Sequence, residues 1–140
     1  MSFYHAFYRE LSARAGGNPI DNRNTVYSGF GPVTELNDAV PRYAANPQAL
    51  AYVLRNYSPT GEIVDPVLAV HTTYDPGVPP GLSGFYSTAT TLKESQELFV
   101  QKYVEADGHC NIAPILVGKA FDQLRGWAAR GVRPQPGRLR

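Results

Sequence analysis

Apolar and polar positions alternate at helical spacing in the first part of the chain. From Ser2 to Ala15, aromatic residues and a leucine recur along one helical face, which predicts a helix. The polar, glycine-rich stretch from Ile20 to Gly31 predicts a loop. Two short helices are predicted at Val33 to Ala45 and Pro47 to Tyr57, the second with one apolar face and a proline at its first position.

The second part of the chain alternates between strand and helix patterns. Pro66 to Thr72 is apolar on both faces, which is typical of a buried parallel strand. Pro80 to Leu92 predicts a helix, and Leu98 to Val104 alternates as a second strand, with Lys102 on its apolar side. Pro114 to Arg130 predicts a long helix with one apolar side. The order strand, helix, strand, helix predicts an α/β fold whose parallel strands are joined by a right-handed crossover.

Composition and charge narrow the classes of function. The net charge is +1, so neither a nucleic acid nor an anionic membrane surface is indicated as a partner. No apolar run is long enough for a membrane span, and the N-terminus lacks the apolar segment of a secretory signal, so the cytoplasm is the default expectation. Cys110 is the only cysteine, which rules out a disulfide within the chain. The basic, proline-containing residues from Gly131 to Arg140 predict a disordered tail.

Two polar residues follow the predicted strands and are the candidates for chemistry. Asp75 comes just after the first strand and His109 just after the second. Active residues of open α/β sheets lie beyond the carboxyl ends of strands, and neighbouring strands are about 4.8 Å apart. A carboxylate bonded to one imidazole nitrogen fixes the tautomer and leaves the other nitrogen as a general base. We therefore expect Asp75 and His109 to lie within hydrogen-bond reach.

These residues resemble the last third of an α/β-hydrolase. The apolar strand followed by Asp75-x-x-Val78-Pro79 resembles the acid loop of that superfamily, and Gly108-His109 resembles its histidine loop. The resemblance covers roughly Ile63 to Arg133. It implies that His109 is the general base of a Ser-His-Asp triad, that Asp75 orients it, and that the substrates are esters, amides or peptides. No cofactor is implied.

The resemblance also implies a domain organisation. Residues 1–62 would be a helical cap or lid segment. Residues 63–133 would be the C-terminal portion of the α/β-hydrolase fold, with two parallel strands, a crossover helix and a terminal helix. Residues 134–140 would be the disordered basic tail.

The nucleophile of the family is not found in this chain. The family places its serine in a Gly-x-Ser-x-Gly elbow that precedes the acid. Ser28 has no glycine two positions before it, and Ser83 has its second glycine one position early and follows Asp75. The oxyanion loop and the first strands of the sheet are missing too. We therefore expect the chain to be inactive alone, with an N-terminal hydrolase half as a partner that supplies the serine. The alternative is a non-catalytic remnant or a protein-binding module of the same fold.

A missing strand also predicts association. The strand from Pro66 to Thr72 would lack a neighbour on one side, so its open edge could pair with another chain.

Simpler interpretations of the two candidates stay open. Asp75 is followed by Pro76 and Gly77, which favour a turn without any chemistry. His109 is also compatible with a loop histidine that bonds to backbone. Glu105 and Asp107 flank His109 and are alternative acids.

The other histidines and the cysteine are given structural interpretations. His71 lies inside a predicted strand and is expected to be a packed histidine, whereas His5 is expected at the surface or in the core. The three histidines lack zinc-ligand spacing, so no metal site is predicted. Cys110 beside His109 also suggests a cysteine nucleophile. Adjacent residues at a strand end usually point in different directions, so a small buried thiol is expected instead.

Overall fold

The protein folds as two compact units, Met1–Ser58 and Pro59–Arg140. The structure is a computed structural model that describes residues 3–28, 31 and 33–140. The first unit contains helices α1 (Phe3–Ala15), α2 (Val33–Ala39) and α3 (Pro47–Asn56). The second contains strands β1 (Val67–Tyr74), β2 (Phe99–Asp107) and β3 (Gly137–Arg138), helices α4 (Ser83–Leu92) and α5 (Pro114–Arg130), and 3-10 turns at Pro80–Leu82 and Gln96–Leu98.

Helix ends in the first unit follow from local sequence. The side chain of Asn46 accepts hydrogen bonds from the N–H groups of Gln48 and Ala49, which caps α3. Helix α2 ends at Ala39, although the predicted helix continued to Ala45. Pro41 explains the difference, because it lacks an N–H and disfavours helical geometry in the residue before it. The predicted first helix matches α1, except that Ser2 lies outside the described residues.

The second unit is built on a parallel sheet with the order β1-β2-β3. Helix α4 covers one face, where the rings of Tyr86 and Phe99 meet edge to face with centroids 5.1 Å apart. Helix α5 covers the other face, where Ala120 packs against Val104. Phe99 and Val104 point to opposite faces because strand side chains alternate. The mixed α/β fold with parallel strands and a crossover helix is therefore confirmed.

The end of the chain is ordered, which corrects the prediction of a disordered tail over 134–140. Gly137–Arg138 pairs in parallel with β2, so the sheet has three strands where two were predicted. Leu139 is only 3% exposed and packs in the cluster of Val104 and Ala120. Burial of this leucine offsets the entropic cost of ordering the segment. The basic and proline-containing composition of the segment, on which the prediction of disorder was based, does not show this burial.

Element bounds in this unit agree with the predictions to different degrees. Helix α5 has the predicted bounds, and it ends where Gly131 adopts a left-handed conformation with φ of 70°. Both long strands run beyond their predicted carboxyl ends, to Tyr74 and Asp107. In the described part of the chain, no helix is long and apolar enough to cross a membrane.

Candidate functional site

The carboxyl ends of β1 and β2 are tied together by hydrogen bonds. The N–H of Gly108 donates to the carbonyl of Tyr74 at 2.8 Å, and the hydroxyl of Thr72 donates to the carbonyl of Gly108 at 3.0 Å. Gly108 has φ of 106°, a conformation that residues with a side chain rarely adopt. The chain therefore turns sharply after β2, which brings the residue after this glycine beside the end of β1.

Asp75 and His109 meet at this point. Nδ1 of His109 lies 2.8 Å from Oδ2 of Asp75, which confirms the expected hydrogen-bond reach. The Asp75 side chain is 2% exposed and the His109 side chain 62% exposed. Because an ionised carboxylate only accepts hydrogen bonds, Nδ1 is the donor, and Nε2 of neutral His109 is left as an acceptor.

The second carboxylate oxygen of Asp75 holds the turn that follows β1. Oδ1 accepts hydrogen bonds from the N–H groups of Gly77 at 2.8 Å and Val78 at 2.9 Å. Burial is the largest single influence on the pKa of Asp75 and raises it. The hydrogen bonds from Val78, His109 and Gly77 together outweigh burial and lower the pKa below its ordinary value. Asp75 is therefore both a turn residue and the partner of His109, so the two interpretations of it are compatible.

A second imidazole, whose role was not predicted from the sequence, faces the same carboxylate. Nε2 of His71 lies 3.9 Å from Oδ2 of Asp75, and the His71 side chain is 17% exposed. Its Nδ1 donates to the carbonyl of Thr72 at 2.8 Å. His71 is packed, as expected, but it also lies beside the acid. The signal was its position four residues before Asp75 at the end of a strand.

A pocket of about 230 Å³ opens beside the pair. It is lined by His71, His109 and Cys110 together with apolar side chains, among them Val70, Val78 and Ile112. Cys110 is exposed, so the expectation of a buried thiol is wrong. The reason is local, because Cys110 lies in the turn after β2 with φ of 54°, outside the strand and its alternation.

The alternative acids form no hydrogen bond or ion pair with His109 in the structure. Glu105 forms an ion pair with Arg138. Asp107 accepts a hydrogen bond from Asn111 through its backbone carbonyl. The imidazole of His109 bonds to the side chain of Asp75 and not to backbone, so the interpretation as a backbone-bonded loop histidine is not supported.

Ser83 does not serve His109 as a nucleophile. Its hydroxyl donates to the carbonyl of Pro80 at 2.6 Å and lies 3.2 Å from the hydroxyl of Tyr103. Among the described residues, no serine hydroxyl or cysteine thiol forms a hydrogen bond with His109. Within the same part of the chain, no group of three or more His, Cys, Asp or Glu residues is arranged to hold a metal ion.

No protein-family model, no curated protein and no solved structure matches this chain. Function is therefore inferred from the geometry of the Asp75–His109 pair and its surroundings.

Proposed function

We propose that this chain is the C-terminal part of a serine hydrolase of the α/β-hydrolase type, acting on ester, amide or peptide bonds. The hydrogen bond of 2.8 Å between His109 and Asp75 carries this proposal. It joins a base and an acid at the carboxyl ends of adjacent parallel strands, the position of active residues in open α/β sheets.

His109 is the general base in this proposal. Its Nε2 takes the proton of a serine hydroxyl as the oxygen attacks the acyl carbon, and later returns the proton to the leaving group. Asp75 holds the ring in the required tautomer and stabilises the imidazolium that forms. The lowered pKa of Asp75 supports this role, because the carboxylate is then ionised at neutral pH.

The serine and the oxyanion hole come from a polypeptide segment other than these residues. Two observations favour this arrangement. The His109 side chain is 62% exposed and forms no hydrogen bond with a described hydroxyl. Strand β1 pairs only with β2 in the described part of the sheet, which leaves its other edge for a strand of that segment. The chain alone is then inactive.

Two assays test the proposal. The purified chain should show no hydrolysis of a p-nitrophenyl ester panel above background and no labelling by a fluorophosphonate, because the described residues include no activated nucleophile. Coexpression with the coding sequence directly upstream should give hydrolysis. In that complex, His109→Ala should reduce kcat by about 10⁶-fold and Asp75→Asn by about 10⁴-fold.

Asp107→Asn is the matched control. It neutralises a neighbouring acid whose carboxylate forms no hydrogen bond or ion pair with His109, so coexpressed activity should remain. Covalent labelling of a serine in the chain alone would contradict the proposal, and so would full activity of the Asp75→Asn enzyme.

The engaged hydroxyl of Ser83 supports a second candidate, a non-catalytic remnant or protein-binding module of the same fold. This candidate predicts that no coexpressed segment restores hydrolysis.

A further inference from the structure

A lysine is buried on the apolar face of β2. Lys102 is 6% exposed and lies between Val100 and Val104, which are 1% and 4% exposed. It pairs in register with Val70 on one side and Gly137 on the other. In the described part of the chain its ammonium forms neither a hydrogen bond nor an ion pair. The stem of Lys102 is buried while its ammonium borders the adjoining pocket, so an anion in that pocket can pair with it.

The Lys102 side chain borders a pocket of about 420 Å³ between the sheet, α5 and the C-terminal segment. Arg130 also lines it and has no ion pair among the described residues. A Cβ built on Gly126 would lie 2.9 Å from Nη2 of Arg130, so the guanidinium occupies space that the glycine leaves open. Two cations therefore converge on one cavity of a size typical for small-molecule sites.

The remaining polar groups of the pocket define the ligand further. Oε1 of Gln123 is buried and accepts no hydrogen bond, which leaves an acceptor in need of a donor. Asp122 is the lining carboxylate, but it is 68% exposed and accepts a hydrogen bond from Arg125 at 3.1 Å. A ligand that suits this set offers acceptors to Lys102 and Arg130 and a donor to Gln123.

We propose that this pocket binds a small oxyanion that also carries a hydroxyl, as inorganic phosphate does. The oxygens of the anion accept hydrogen bonds from Lys102 and Arg130, the pairing that phosphate groups favour in proteins. Its hydroxyl donates to Oε1 of Gln123. The site is independent of the proposed hydrolase function, because none of its lining residues borders the pocket at His109.

Calorimetric titration of the full chain tests this site with inorganic phosphate and with sulfate at equal ionic strength and neutral pH. Sulfate has the same tetrahedral shape but no hydroxyl at this pH. We expect saturable binding of one phosphate per chain and about tenfold weaker binding of sulfate. Gln123→Leu should remove most of this preference.

Variants of the two cations locate the site. Lys102→Met and Arg130→Gln should each weaken phosphate binding by roughly 10- to 100-fold. Lys119→Met is the control, because it removes the same charge from α5 at a residue that does not line the pocket and donates to the carbonyl of Arg140. Arg130 is exposed, so its variant should fold even if Lys102→Met does not.

Thermal unfolding gives an independent result. Phosphate should raise the Tm of the wild type through binding to the folded state, and this shift should vanish in Lys102→Met. Absence of saturable phosphate binding, equal affinity for phosphate and sulfate, or full affinity of both cation variants would overturn the proposal.

Discussion

A single buried carboxylate organises the end of the sheet. One oxygen of Asp75 fixes the turn through Gly77 and Val78, and the other fixes the ring of His109. Because both oxygens are engaged, the carboxylate has little freedom to rotate. The same residue therefore links the local conformation of the chain to the orientation of the proposed base.

The lowered pKa of Asp75 predicts how stability depends on pH. The folded-state pKa lies below the ordinary value of 3.8, so the unfolded chain binds more protons in that range. The stabilisation is complete above the ordinary pKa, decreases as pH falls through it, and is lost below the folded-state pKa. Urea unfolding from pH 5 to pH 2 should therefore show a steeper loss of unfolding free energy in the wild type than in Asp75→Asn.

A second acid affects this measurement equally in both proteins. A side-chain hydrogen bond from Arg23 lowers the pKa of Asp21 to about 2, so Asp21 contributes the same background slope to both curves. Parallel curves for wild type and Asp75→Asn would contradict the prediction.

At the scale of elements, what could be predicted depended on local signals. Helix α5 was predictable because Pro114 begins it and Gly131 ends it. Asp75 and His109 were predictable because each follows an apolar strand. Strand β3 was not, because a short parallel strand beside β2 depends on the distant contact of Leu139 with Val104. The approach of His71 to Asp75 was missed, although the spacing of four residues at the end of an apolar strand was visible in the sequence.

The loop before β1 should be intolerant of a side chain at Gly61. This residue has φ of 80°, and a Cβ built there would lie 2.3 Å from the backbone carbon of Ala89 in α4. Gly61→Ala should therefore lower the unfolding free energy by more than about 2 kcal/mol. Gly118→Ala is the matched control in α5, where a Cβ meets nothing within 4 Å, and it should raise stability by about 0.5–1 kcal/mol. Chemical denaturation measures the unfolding free energy of both variants. Equal changes in the two variants would refute the claim that Ala89 leaves no room for a side chain at Gly61.

The ordered C-terminus gives a second prediction for an element. Leu139→Ala should cost about 2–5 kcal/mol of unfolding free energy, because it empties a site in the core beside Ala120. Val132→Ala, in the same segment but 63% exposed, should change stability by less than about 0.5 kcal/mol. Urea denaturation measures the unfolding free energies of both variants and so shows whether Leu139 is part of the folded core. A negligible effect of Leu139→Ala would restore the prediction of a disordered tail.

At the scale of the whole molecule, the sheet is protected unequally at its two edges. Strand β3 covers part of β2, whereas β1 pairs only with β2 in the described structure. Unpaired backbone donors and acceptors on an apolar strand favour pairing with another chain. We therefore predict that the isolated chain dimerises, aggregates or binds a complementary segment.

Light scattering and native-state hydrogen exchange measure this association together. The scattering mass should exceed the 15.3 kDa of one chain, and alternate amides from Val67 to Val70 should be protected only in the associated form. A sharp monomer peak with every amide of this stretch protected would show that the edge is covered within the monomer.

The tautomer of His109 shows whether Asp75 orients this histidine as a base. In ¹⁵N NMR of the imidazole side chains, at a pH above the usual titration range of histidine, wild-type His109 should be protonated at Nδ1 and unprotonated at Nε2. In Asp75→Asn, the oxygen stays with the N–H groups of Gly77 and Val78, because only the oxygen can accept. The amide nitrogen then takes the place of Oδ2 and donates to Nδ1, so His109 should invert to the Nε2–H tautomer.

His71 is the internal reference in the same spectra, because its Nδ1–H bonds to the carbonyl of Thr72 in both proteins. We expect His109 to invert on the Asp75→Asn substitution while His71 keeps its tautomer. A wild-type His109 protonated at Nε2, or a tautomer that the substitution leaves unchanged, would contradict the claim that Asp75 orients His109 as a base.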